Sequence, residues 1–144
     1  MKVQSIFMVN RDSSGTGLGL FLLRSSFGLS LFLKHGVEKI TGFNRMAQSF
    51  PDPFHLGVRL SLTIATMSDV LAALCLIAGF ATRLSASFIF FNILVAWIFV
   101  HRAQFFGRGA DHGEVCVLYL CGCLAIILCG PGRFSVDALL SRNI

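Results

Sequence analysis

Four apolar stretches, each close to the length of a bilayer-spanning helix, fill most of this 144-residue chain. Each carries ionisable residues inside it or at its rim. The stretches run over about 18–40, 58–80, 84–101 and 114–129. A spanning helix needs about 20 mostly apolar residues, so four spans leave only short loops and tails. A charge in hydrocarbon costs on the order of 2.5–3.5 kcal/mol on insertion scales. That cost falls on Arg24, His35, Glu38, Asp69, His101 and Glu114. The expected fold is all-α, an integral-membrane, antiparallel four-helix bundle in which these groups are paired or put to use.

Composition points the same way. Apolar residues make up 55% of the chain and charged ones 13%, with mean hydropathy +0.76. Soluble domains carry about 25% charge. Fifteen Phe residues suit lipid contact. The net charge of +5 does not indicate nucleic acid, because no basic run or interleaved aromatic platform is present. Lys39, Arg45, Arg59, Arg83, Arg102 and Arg133 sit at span ends, where headgroup anchoring accounts for them.

Residues 1–17 read as a flexible tail, 18–134 as the membrane domain and 135–144 as a C-terminal tail. The apolar run Ile6 to Val9 is too short for a cleavable signal, and Asn10-Arg11-Asp12 interrupts it. The first span is therefore expected to act as an uncleaved anchor. The GTGLG string near it is not a dinucleotide fingerprint. Basic residues are nearly balanced between the two faces; the expectation is that both termini are cytoplasmic.

A helix turns about 100° per residue. Arg24, Gly28, Leu31, His35 and Glu38 then form one stripe on the first span, with Lys39 at its edge. On the second span Asp69 shares a face with Ala65, Thr66, Ala72 and Ala73, small residues that let helices approach closely. Depth suggests that Arg24 and Asp69 form an intramembrane pair, either a structural salt bridge or part of a proton or ligand relay. A second cluster is expected at the opposite surface: His35, Glu38, His101 and Glu114, with Asp111 and His112 leading into the fourth span. These groups suit a ligand or quinone-headgroup site. They equally suit ordinary polar helix ends. His35, His101 and Glu114 are weak metal candidates; no metal is assigned. Asn92 points roughly 180° from His101 on a regular helix, so the two are not expected to share a pocket at one depth.

Cys75, Cys116, Cys121, Cys123 and Cys129 contain no CxxC pair. Packing is their expected role.

Several segments resemble the DoxX family of small bacterial membrane proteins. In the first span Arg24 is followed by His35-Gly36 and Lys39. The second, SDVLAALCLIAGFATRLSA from Ser68 to Ala86, resembles the family's acidic residue ahead of a Gly-Phe-x-Thr-Arg turn, with Asp69 where the family often has Glu. The third exits in VHRAQFF, and the fourth closes on Gly-Pro-Gly-Arg-Phe-Ser. The resemblance implies the four-helix membrane fold, a place in the bacterial inner membrane, and association with quinone-linked redox or oxidative-stress complexes. Lipid is then the certain partner, with a redox or other soluble protein and a second copy of the chain as candidates. Quinone is the candidate ligand. Catalysis is not implied: the chain has no haem, flavin or thiol-pair motif, so electrons would come from a partner. The other functions weighed are a small-ligand or metal carrier and a membrane anchor for a soluble partner.

Overall fold

The computed structural model describes residues 14–103 and 113–141. Four long helices dominate. The first, α1, covers Ser14–Thr41 and is followed by the short α2, Phe43–Met46. A second span, α3, covers Val58–Ala78, and a third, α4, covers Thr82–Val100. The fourth apolar helix, α5, covers Gly113–Cys129, and α6, Val136–Leu140, closes the described chain. By length and apolar composition α1, α3 and α4 suit membrane crossing, and α5 is a shorter helix of the same kind. Residues 14–17, expected as tail, are helical.

The helices are apolar nearly all round because both surroundings are apolar. Leu31, Leu76, Ile89, Ile93, Leu120 and Ile126 meet in the core. Leu84 at 73% exposure and Leu128 at 71% point outward. Such outward Leu residues would be an aggregation hazard in water and are ordinary in lipid. The small face anticipated on α3 is inside: Ala65, Ala72 and Ala73 are buried. Gly36 of α1 packs on the backbone of Asp69, where an added Cβ would lie 2.7 Å from the carbonyl oxygen.

Three of the long helices contain a π-helical turn: Phe32–Gly36 in α1, Ser68–Ala72 in α3 and Ala96–Val100 in α4. Each i→i+5 turn holds an extra residue and rotates the downstream side chains by about 100°. The first holds His35, the second holds Asp69, and the third immediately precedes His101. The turns thus bring polar side chains into place.

The α3–α4 hairpin is tight. Gly79 takes a left-handed φ of +72° at the end of α3, the usual helix-stop conformation. Ala81 follows at φ +44°, a strained value for a residue with a Cβ. The two helices pack through the middle and far half of α3, whereas its first half, Val58–Met67, has no broad contact with α4. A cleft opens between them toward the end of the bundle that carries residues 43–57.

Candidate functional site

The structure separates the polar residues into two groups, one at the terminus-side end of the bundle and one running from its middle toward the other end. The first is built around Arg24. Its side chain is fully buried, and Nη2 donates to the Phe134 carbonyl at 2.6 Å. Phe134 belongs to the segment after α5, which folds back beneath the α3–α4 hairpin. There Asp137 accepts hydrogen bonds from Ala81 N, Thr82 N and Thr82 Oγ1, all at 2.8 Å. The Asp137 amide in turn donates to the Gly79 carbonyl at 3.0 Å. Ser135 caps α6 by accepting from Ala138 N at 3.1 Å. Asp137 thus satisfies the orphan amides at the start of α4 and holds Ala81 in its strained turn. Its burial raises its pKa, but the bonds from Thr82 and Ala81 and the nearby Arg24 guanidinium outweigh this. The carboxyl is held below the usual range. Residues 130–141 therefore act as a latch, with Arg24 as its pin.

The expected Arg24–Asp69 pair is not formed. Asp69 Oδ2 pairs with Lys39 Nζ at 2.6 Å, and Asp69 Oδ1 accepts from Asn92 Nδ2 at 3.1 Å. Side-chain direction explains the exchange. A helical Cα–Cβ bond tilts toward the helix N-terminus. On α1 that sends Arg24 back toward the terminus-side surface, and it sends Lys39 inward. On the antiparallel α3 it sends Asp69 toward Lys39 and away from Arg24. Lys39, expected as a headgroup anchor, is 9% exposed and is buried inside the bundle.

The second group lines a cavity of about 560 Å³. His35 and Lys39 come from α1, Asp69 from α3, Asn92 from α4, His101 from the end of α4, and Cys116 and Tyr119 from α5. Of the expected headgroup cluster, His35 and His101 are on this wall. Glu38 and Glu114 are exposed and are not part of it. Asp111 and His112 lie outside the described residues. Asn92 and His101 share the cavity after all. The third π turn lies between them and supplies the missing rotation. Among the described residues, no three His, Cys, Asp or Glu side chains are grouped to hold a metal ion.

Tyr119 fixes one side of the wall. Its hydroxyl donates to Ser30 Oγ at 2.8 Å, and its ring meets Phe27 edge-on at 5.0 Å. Most of the remaining wall is apolar, including Leu31, Ile64, Phe88, Phe91, Ile93 and Val95, with Ser49 and Ser61 as further polar side chains. The site is therefore a mostly apolar chamber with a polar patch at mid-depth. The patch offers a cation, a carboxylate, an amide and imidazole groups within a low-dielectric setting. Sequence reasoning missed Lys39 and Tyr119 as site residues. Lys39 lies four residues after His35, so it shares that helical face, and this was the available signal. Nothing in the apolar pattern marks the π turns.

Comparison with known proteins agrees with the architecture. The family model described as DoxX matches residues 19–102, which hold the first three long helices. An uncharacterized protein of Haemophilus influenzae is 30% identical over 132 residues, covering 89% of this chain and 87% of that relative. No solved structure matches. The family match over more than half of the length, and a relative aligned across nearly the whole chain, make this multi-pass membrane protein a member of the DoxX family.

Proposed function

We propose that the chain is an accessory subunit of a quinone-linked redox or oxidative-stress complex in the bacterial inner membrane, with both termini cytoplasmic. Its cavity holds the ring of a quinone. The observation that carries this reading is a chamber with His35, Lys39, Asp69, Asn92 and Tyr119 on a mostly apolar wall. Ligand sites of this size pair apolar walls with a few placed polar groups. A quinone ring has that division: flat apolar faces and two polar oxygens on its edge. Asn92 donates through Nδ2 to Asp69, so its carbonyl oxygen remains an acceptor for a ring hydroxyl. Lys39 uses one of its donors on Asp69 and keeps others for a ring carbonyl. The chain's own role is to bind and orient the ring. Electrons pass to it from a partner protein.

Trp97, the one tryptophan in the chain, sits in the π turn beside the cavity residue Ala96. Titration of nanodisc-embedded protein with a short-tailed ubiquinone should therefore quench its fluorescence saturably. Asn92→Leu and His35→Ala should weaken this binding about tenfold or more, the effect of about 1.4 kcal/mol. Linear quenching that is the same in the wild type and both variants would reduce the interaction to partition into lipid and end the proposal.

A further inference from the structure

The cavity meets two different borders, a loop toward the water-side end of the bundle and the α3–α4 cleft on its lateral side. Its water-side end is crossed by residues 47–57. Asp52 fixes one end of this strap to α3: it accepts from Leu56 N at 3.0 Å, Gly57 N at 2.8 Å and Ser61 Oγ at 2.7 Å. Phe54, two residues on, ties the strap to α4, meeting the Phe99 ring edge-on at 5.6 Å. What the strap turns to the cavity is mostly apolar: Phe50, Pro51, Pro53, Phe54 and Leu56. A polar solute arriving from water would meet no hydrogen-bonding group on most of that surface.

On the lateral side the wall is different. Ile64 of α3 and Phe88 and Phe91 of α4 line the cavity and are also exposed on the outer surface, Phe91 by 63%. They flank the cleft left where the Val58–Met67 half of α3 stands off from α4. The outer faces beside them are lipid-facing, as the exposed Leu60, Met67 and Leu84 show. Asp69 and Asn92, the deep end of the cavity, lie near the middle of α3 and α4, level with acyl chains and not with headgroups.

From this arrangement we infer that the cavity loads sideways from the bilayer, through the α3–α4 cleft, and that its occupant is a tailed quinone. The ring rests on the Lys39–Asp69–Asn92 patch, and the isoprenoid tail leaves past Ile64, Phe88 and Phe91 into the acyl region. This inference rests on the quinone reading of the cavity and adds to it a route, an orientation and a need for a tail. The polarity gradient sets the orientation. Reversal would put the tail against a buried ion pair, and the ring oxygens among alkyl chains with no partners, which is costly for each unpaired polar group.

The test uses the full chain in nanodiscs and two photoreactive ubiquinone analogues, one with a diazirine on the ring and one with it on the tail. Adducts are mapped by mass spectrometry. The ring probe should mark residues around His35 and Asn92. The tail probe should mark Ile64, Phe88 or Phe91. Ile64→Trp, which fills the cleft, should reduce tail-probe adducts at least fivefold and should lower labelling by a tailless benzoquinone analogue as well, since both enter by the cleft. Tail adducts on residues 50–56, or tailed-probe labelling unaffected by Ile64→Trp but raised by Phe54→Ala, would overturn the lateral route and leave the quinone reading standing. A diazirine phospholipid probe separates the other failure. If it fills the cavity and both quinone probes do not, the quinone reading falls, and with it the occupant inferred here. If no lipid-borne probe enters while the phospholipid marks outward residues such as Leu84 and Leu118, the route falls too.

Discussion

The two polar groups of this bundle use the same kinds of residue to opposite ends. Around Arg24 the chain closes on itself: a buried guanidinium holds the Phe134 carbonyl, and Asp137 takes three hydrogen bonds from the hairpin above. Around Asp69 an ion pair and an amide surround open volume. The latch commits its polar groups to backbone amides and carbonyls that helix ends leave unpaired. The cavity keeps its groups on side chains of four different helices, with a chamber between them. An intramembrane charge therefore does not mark a functional site by itself. What distinguishes the two is whether the partner is the chain's own backbone or a wall facing a void.

The largest predicted effect tests the cavity. Removing one member of a buried ion pair strands the other, at a cost of about 3–5 kcal/mol. Asp69→Leu or Lys39→Met alone should lower thermal stability in detergent by that order. The double variant removes both charges and should recover most of the loss, because buried pairs are often no better than packed apolar groups. Quinone-dependent Trp97 quenching should stay lost in the double variant. If the double variant binds quinone as the wild type does, the patch has a structural role only, like the latch.

Arg24→Met tests the other end. It keeps much of the stem and removes the donor to Phe134. A charged hydrogen bond contributes about 1.5–3 kcal/mol, so stability should fall by about that amount. Proteolysis between α5 and α6 should quicken as the latch loosens. Quinone binding per folded molecule should not change, since Arg24 is not on the cavity wall. A loss of binding equal to that of Asp69→Leu would mean that the two groups act as one.

Much of the fold is legible in the sequence because hydrophobic run length is a direct readout of bilayer thickness. The four apolar stretches become four apolar helices, and the Ala face of α3 turns inward as its pattern requires. The pairings are less legible. Depth alone matches Arg24 to Asp69, which leaves out the tilt of side chains toward each helix N-terminus. A place near a span end makes Lys39 look like an anchor, although its long stem reaches inward as readily as outward. A regular 100° step keeps Asn92 and His101 apart, and one π turn between them undoes that step. Such turns depend on how neighbouring helices crowd a segment, as where Gly36 meets the Asp69 backbone. They leave no period in the local sequence.

A smaller effect comes from acid. Asp137 has a folded-state pKa below its ordinary value of 3.8. Its ionised form is thus favoured by folding, and the stability it brings is present above the ordinary value. That stability is lost as pH falls through the depressed folded value. A pH series of melting temperatures should show this fall below about pH 4, and Asp137→Asn should flatten it. The same variant should cost about 1 kcal/mol at neutral pH, the usual size of a lost helix cap. A pH profile unchanged by Asp137→Asn would remove the carboxylate from the latch.

The smallest effect on stability, and the sharpest on the contrast between closed and open ends, belongs to Asp52. Its bond from Ser61 and those from the Gly57 and Leu56 amides outweigh a small opposing burial effect, so its carboxyl is also held below the usual range. It lies outside the spans and ties only the strap. Asp52→Asn keeps the shape and removes the charge that makes three donors converge on one side chain. Melting temperature should stay within about 2 °C of wild type, because Asp52 is only half-buried and Asn keeps one acceptor oxygen for its donors. Quinone dissociation followed by Trp97 recovery should quicken two- to threefold if the strap only confines the ring. A much larger change, with tailless benzoquinone gaining access from water, would make the strap a second door. The lateral cleft would then share its role with the water-facing end.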